Sequence, residues 1–95
     1  MLSRTLVESS EKKRLQFLNT ELDLSWTLAE KSLGLFQAGD LEDATVAASA
    51  AKLGYKNVCK SLRNLAVNPA QRETLESKRA RLEVLIKKLR AIREH

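Results

Sequence analysis

The sequence contains few residues that interrupt a helix. Among its 95 residues there are one proline and three glycines, so long helices are expected rather than a meander of short strands. Aromatic residues make up only 4% of the chain, so the core must consist mainly of leucine, alanine and valine. A hydrophobic content of 43% and a charged content of 31% predict a soluble, globular chain rather than a disordered one.

Cysteine and histidine are nearly absent, which limits the chemistry. Cys59 is alone, so no intrachain disulfide can form, and the single histidine, His95, is the last residue. The sequence has no glycine-rich phosphate loop and no serine or cysteine with a positioned base. Asp40, Glu42 and Asp43 cluster, but acids in the first turn of a helix ordinarily serve the helix itself. We therefore predict that the protein is not an enzyme and binds no metal or cofactor.

Long apolar runs are missing too. No segment approaches the roughly 20 apolar residues of a membrane-spanning helix, and residues 1–4 lack the apolar block of a secretory signal. We therefore expect a cytoplasmic protein that makes no contact with a membrane.

The first predicted helix covers about residues 10–38, and residues 1–9 are either an N-terminal arm or an extension of it. Two apolar rows run along this helix, roughly 140° apart at about 100° per residue. Because both rows are apolar, we expect the helix to lie in the groove between two others. The first row is Leu15, Leu18, Leu22, Trp26, Ala29, Leu33 and Phe36, and the second is Phe17, Leu24, Leu28 and Leu35.

A two-residue turn joins the first helix to the second, which covers about residues 41–66. Gly39 suits the left-handed position that ends a helix, and Asp40 suits the N-cap of the next. So short a connection predicts an antiparallel hairpin. The second helix opens with small residues, which would let the two helix axes approach closely, with positions summing to about 80 facing each other.

The third predicted helix covers about residues 69–94. Asn68 suits its N-cap, Pro69 its first position and Gln71 the third position, where a glutamine completes a capping box. Its apolar stripe is close to a heptad repeat, and residues 86–95 could extend beyond the hairpin and support self-association. The predicted fold is all-α, an antiparallel three-helix bundle in which residues 10–95 form a single domain. The predicted core is Leu18, Leu22, Ala29, Leu33, Phe36, Ala44, Ala48, Ala51, Tyr55, Val58, Leu62, Leu75, Leu82, Leu85 and Leu89, and Trp26 is also expected to be buried.

Residues 28–51 resemble one tetratricopeptide-type helical hairpin. The matching positions are Leu28, Ser32, Leu35, Gly39, Asp40, Ala44 and Ala51, whereas Lys31 and Ala48 depart from the motif. The whole chain is also similar to the three-helix domains that interact with microtubules and serve in trafficking. Both families are protein-interaction modules, so the resemblance implies that class of function.

The net charge of +5 lies mostly in residues 69–95, which hold eight basic and four acidic side chains. The second helix adds a basic stripe of Lys52, Lys56, Lys60 and Arg63 along one side. Such a stripe could follow the phosphates of a nucleic acid. A simpler explanation is a solvated face with ion pairs between helices.

The register of the second and third helices predicts which ion pairs these would be. They are Lys60 with Glu76, Arg63 with Glu73 and Lys52 with Glu83.

From these features we predict a non-enzymatic helical module for protein–protein interaction, through a protein partner or self-association. The candidate interaction surface is the outer side of the second helix, formed by Lys52, Lys56, Lys60, Arg63, Val46 and Leu53. The alternative is a nucleic-acid-binding helical protein that uses the basic residues of the second and third helices.

Overall fold

The chain folds into three helices, in a computed structural model that describes residues 2–64 and 68–93, with the side chains of residues 11–64 and 68–92. Helix α1 runs Leu2–Gln37, α2 runs Leu41–Arg63 and α3 runs Pro69–Arg93. The all-α three-helix bundle is confirmed. Helix α1 begins eight residues before position 10, so the part of residues 1–9 that is described extends the helix. The predicted helix ends at residues 66 and 94 lie outside the described residues.

The turn between α1 and α2 is specified by local chemistry. Gly39 has a φ of 85°, a left-handed conformation that costs glycine little. The Asp40 amide donates to the Leu35 carbonyl at 2.9 Å and the Gly39 amide to the Phe36 carbonyl at 3.1 Å, which is the Schellman arrangement. Asp40 Oδ1 then accepts from the Asp43 amide at 3.4 Å. The predicted hairpin turn and its N-cap are therefore confirmed.

Small residues bring α1 and α2 close together, as predicted. Ala44 and Ala51 are fully buried, and the buried Ser32 hydroxyl donates to the Ala44 carbonyl at 2.7 Å. A Cβ built on Gly54 would overlap Ser25 Oγ and lie 3.3 Å from Ser25 Cβ. The backbone of α2 at Gly54 therefore lies directly against the Ser25 side chain of α1, and this contact was not predicted from the sequence.

Helix α3 runs antiparallel to α2 and parallel to α1. Its N-cap is confirmed, because Asn68 Oδ1 accepts from the Gln71 amide at 2.8 Å. Lys78 of α3 lies beside Asp23 of α1, with Nζ 3.1 Å from Oδ1. At this register the end of α3 lies level with the end of α1 at the turn. The expectation that residues 86–95 extend beyond the hairpin is therefore wrong for residues 86–93, and residues 94–95 lie outside the described part.

The core agrees with the prediction over most of its length. Four of the expected residues, Leu33, Phe36, Ala48 and Tyr55, are half-buried and pack at its edge. Ser25, Ser32, Ala47 and Gly54 are buried without having been expected. The other expected residues are buried, namely Leu18, Leu22, Ala29, Ala44, Ala51, Val58, Leu62, Leu75, Leu82, Leu85 and Leu89.

The prediction for Trp26 is wrong, because its side chain is 37% exposed. It lies at the edge between α1 and α3, where it lines a shallow cleft with Lys78 and Arg81. The close approach at Ser25 and Ser32 moves the centre of the core toward the side of α1 that faces α2. The indole is therefore left at the margin of the bundle.

Candidate interaction surfaces

The predicted interaction surface lies on the exposed side of α2, where Arg63 also borders the cleft between α2 and α3. Lys52, Lys56, Lys60 and Arg63 are all exposed. Val46 and Leu53, which share this side, are 65% and 61% exposed. The six residues therefore lie on one accessible helix surface, as the spacing of the sequence implies.

The expected ion pairs between α2 and α3 are not formed in the part of the chain that the structure describes. Glu76 and Glu83 instead bind Arg79 of their own helix, with N–O distances of 2.8 and 3.1 Å. Glu83 also pairs with Lys87 at 3.4 Å. Residues three and four apart on one helix are nearest neighbours, so Arg79 is closer to these two carboxylates than the basic side chains of α2 are.

Arg79 instead joins α3 to α2 through a tyrosine. Its guanidinium donates to the Tyr55 hydroxyl oxygen at 3.1 Å while holding both carboxylates. The hydrogen bond between Arg79 and Glu76 raises the pKa of Arg79. The hydrogen bond between Arg79 and Glu83 lowers the pKa of the Glu83 carboxyl. Burial raises the pKa of the Tyr55 hydroxyl, and its hydrogen bond with Cys59 acts in the same direction. These pKa shifts keep Arg79 and Glu83 charged and Tyr55 neutral at neutral pH, so the network is a structural tie between helices.

An open cleft of about 390 Å³ lies beside this network, between α2 and α3. Tyr55, Cys59 and Arg79 line it together with Leu62 and three further charged residues, Arg63, Arg72 and Glu76. Tyr55 and Arg79 are already hydrogen-bonded to each other here, and the cleft contains no histidine. The arrangement offers no nucleophile paired with a base.

The second apolar row of α1, Phe17, Leu24, Leu28 and Leu35, is left largely uncovered. Phe17 is 60% exposed and Leu24 is 53% exposed, whereas Leu28 and Leu35 are half-buried. We call these four residues the apolar row. The expectation that a neighbouring helix would bury this row is wrong for its first two members.

The direction of packing explains this exposure. Helix α2 contacts α1 at Ser25 and Ser32, whereas α3 contacts it at Asn19 and Asp23. At about 100° per residue, the apolar row lies roughly 70° around α1 from the α2 contacts and on the side away from α3. The hairpin therefore has one face covered by α3 and an opposite face, along α1, on which none of the described helices packs.

Two opposite charges interrupt the apolar row at regular places. Glu21 and Lys31 complete a heptad-like spacing with its four members, in the order 17, 21, 24, 28, 31 and 35. Within the described residues, neither Glu21 nor Lys31 forms an ion pair. Neither residue was predicted from the sequence to belong to an interaction surface, although the alternating steps of three and four contained the signal.

The described residues contain no helix long and apolar enough to cross a membrane. They also contain no cluster of three or more histidine, cysteine, aspartate and glutamate side chains that could hold a metal ion. Comparison with protein-family models, curated proteins and solved structures finds no match to this chain. The likeness of residues 28–51 to a tetratricopeptide-type hairpin therefore stays a prediction from the sequence.

Proposed function

We propose that this protein is a non-enzymatic helical module that binds another protein chain through the apolar row of α1. The observation that carries the proposal is the exposure of Phe17 and Leu24 on the same helix face, next to the half-buried Leu28 and Leu35. Contiguous exposed apolar side chains are costly in water and commonly mark interaction sites. A cytoplasmic location and the resemblance to interaction modules belong to the same proposal.

Helix geometry favours the apolar row of α1, rather than the outer side of α2, as the binding surface. The apolar row spans 19 residues from Phe17 to Leu35, so its ends lie about 27 Å apart along the helix at a rise of 1.5 Å per residue. That length is enough for a partner helix to pack along it, with anchors at steps of three and four. Val46 and Leu53 on α2 are seven residues apart, without a third large apolar residue in line. We therefore assign them to the border of the binding surface.

A photo-crosslinking experiment in the native host tests the proposal. Benzoylphenylalanine is placed at Leu24 in the full chain, and a matched variant carries it at Val84 on α3, which is 68% exposed. We expect a discrete crosslinked species, identified by mass spectrometry, from position 24 and not from position 84. Equal crosslinking from both positions, or no species from position 24, would contradict the proposal.

The basic stripe of α2 supports nucleic-acid binding as a second candidate function. Within the described residues, Lys52, Lys56, Lys60 and Arg63 make no ion pair, so their charges are available to an anionic partner. If all four contact phosphates, the affinity should fall about 100-fold between 50 and 200 mM salt.

Fluorescence anisotropy with a labelled duplex measures this dependence. The variant Lys56→Glu should weaken binding and the variant Lys12→Glu, on α1, should not. An absence of binding at 50 mM salt would eliminate this second candidate.

A further inference from the structure

We propose that the partner of the apolar row is a second copy of this chain, bound antiparallel so that the two α1 helices pack against each other. This inference rests on the proposed function, since it requires the apolar row to be a protein-binding surface. It adds the identity of the partner, the direction of its helix and the register of the contact.

The apolar row is symmetric about position 26, and this symmetry selects the antiparallel direction. In an antiparallel pair related by a two-fold axis, residues whose numbers sum to a constant face each other. With a sum of 52, Phe17 faces Leu35 of the second copy and Leu24 faces its Leu28. Each exposed residue of the row thus meets a half-buried one, and every apolar position has an apolar partner. A two-fold axis makes such a contact closed and self-complementary.

The two charges in the row follow the same symmetry. Glu21 and Lys31 also sum to 52, so each carboxylate would lie opposite the ammonium group of the other copy. Because the axis repeats the contact, one dimer would contain two such pairs. A parallel pair would place Glu21 against Glu21 and Lys31 against Lys31, which is repulsive. Charges at the edge or within the seam of paired helices are a known means of fixing partner and orientation.

The bundle leaves room for this arrangement. Helix α3 packs on the opposite side of the hairpin, at Asn19 and Asp23. At the ends of the row, Arg14 would face Ala38 of the second copy, and both residues are exposed. A small side chain opposite a long basic one avoids a steric conflict there. The complementary charges favour a second copy over an unrelated helix, because the chain supplies both halves of each pair.

Sedimentation equilibrium of the full chain and of charge-exchange variants tests the proposal. We expect the wild-type chain to be dimeric, and we expect Glu21→Lys and Lys31→Glu each to raise the dimer Kd about tenfold or more, since each replaces two attractive contacts by two repulsive ones. The double variant Glu21→Lys/Lys31→Glu should recover the wild-type Kd. An equimolar mixture of the two single variants should form a heterodimer.

Matched controls make the same charge changes on the other side of α1. Glu30→Lys and Lys12→Glu involve exposed residues outside the row and should leave the dimer Kd unchanged. Circular dichroism establishes that each variant is folded, and if Glu21→Lys is not, Lys31→Glu and its control decide alone.

Two results would overturn the inference. The first is a wild-type chain that stays monomeric up to about 1 mM, where even weak specific association is detectable. The second is a dimer whose Kd does not respond to the single charge exchanges. A monomeric chain that still crosslinks to a different protein from position 24 would leave the proposed function standing and remove only the second copy as partner.

Discussion

Replacing Gly54 with leucine should lower the free energy of unfolding by about 3 kcal/mol, at the upper end of the range for overpacked sites. The physical reason is the near contact of α1 and α2, since even a Cβ at this position would overlap Ser25 Oγ. Ser25 is itself 2% exposed, so the two helices must separate to admit a larger side chain. Urea denaturation followed by circular dichroism measures the effect.

Gly34 provides the matched control for this substitution. It also lies within a helix, but a Cβ built on it has nothing within 4 Å. Gly34→Leu should therefore raise the free energy of unfolding by about 0.5–1 kcal/mol, because leucine is the better helix former. If both variants were stabilised alike, the close approach of α1 and α2 at Gly54 would be wrong.

The turn and the helix caps could be predicted from the sequence because their chemistry is local. The left-handed Gly39, the capping carboxylate of Asp40 and the capping amide of Asn68 each act within three to five residues along the chain. The contact of Gly54 with Ser25 could not be found in the same way. Small residues fit many environments, and which of them meet depends on two segments almost thirty residues apart.

The ion pairs show a related limit of sequence reasoning. The hydrogen bond between Arg79 and Tyr55 lies close to the predicted register of α2 and α3, yet the ion pairs expected between these helices were wrong. Arg79 lies three and four residues from Glu76 and Glu83, and it holds both at 2.8 and 3.1 Å. The register brings side chains of two helices to the same level of the bundle. A charged side chain nevertheless often pairs with a residue three or four positions away on its own helix, because that residue is nearer.

Only part of the candidate site could be predicted from the sequence. The apolar row of α1 was visible as a pattern, but its exposure was not. A hairpin of two helices has two faces, and only the position of α3 decides which one is covered. Lys78 binds Asp23 on one side of α1, which leaves Phe17 and Leu24 on the other. The spacing of apolar residues along one helix therefore cannot distinguish a row that is buried in the core from a row that is left exposed for interaction.

Replacing Leu82 with alanine should lower the free energy of unfolding by about 3–4 kcal/mol, within the range for fully buried leucines. Leu82 is 1% exposed and lies in the cluster where α3 closes the hairpin. The truncated side chain would leave a cavity where all three helices meet, and neighbouring side chains in a small bundle can fill it only in part. Thermal and urea denaturation, analysed as a two-state transition, give the free energy.

Leu53→Ala is the matched control, because the same atoms are removed from a leucine that is 61% exposed. Its free energy of unfolding should change by less than about 0.5 kcal/mol. The contrast between the two leucines separates the face that α3 covers from the surface left for a partner. Equal losses for both variants would mean that α3 does not close the core at Leu82, and the uncovered side of α1 would then have to be assigned again.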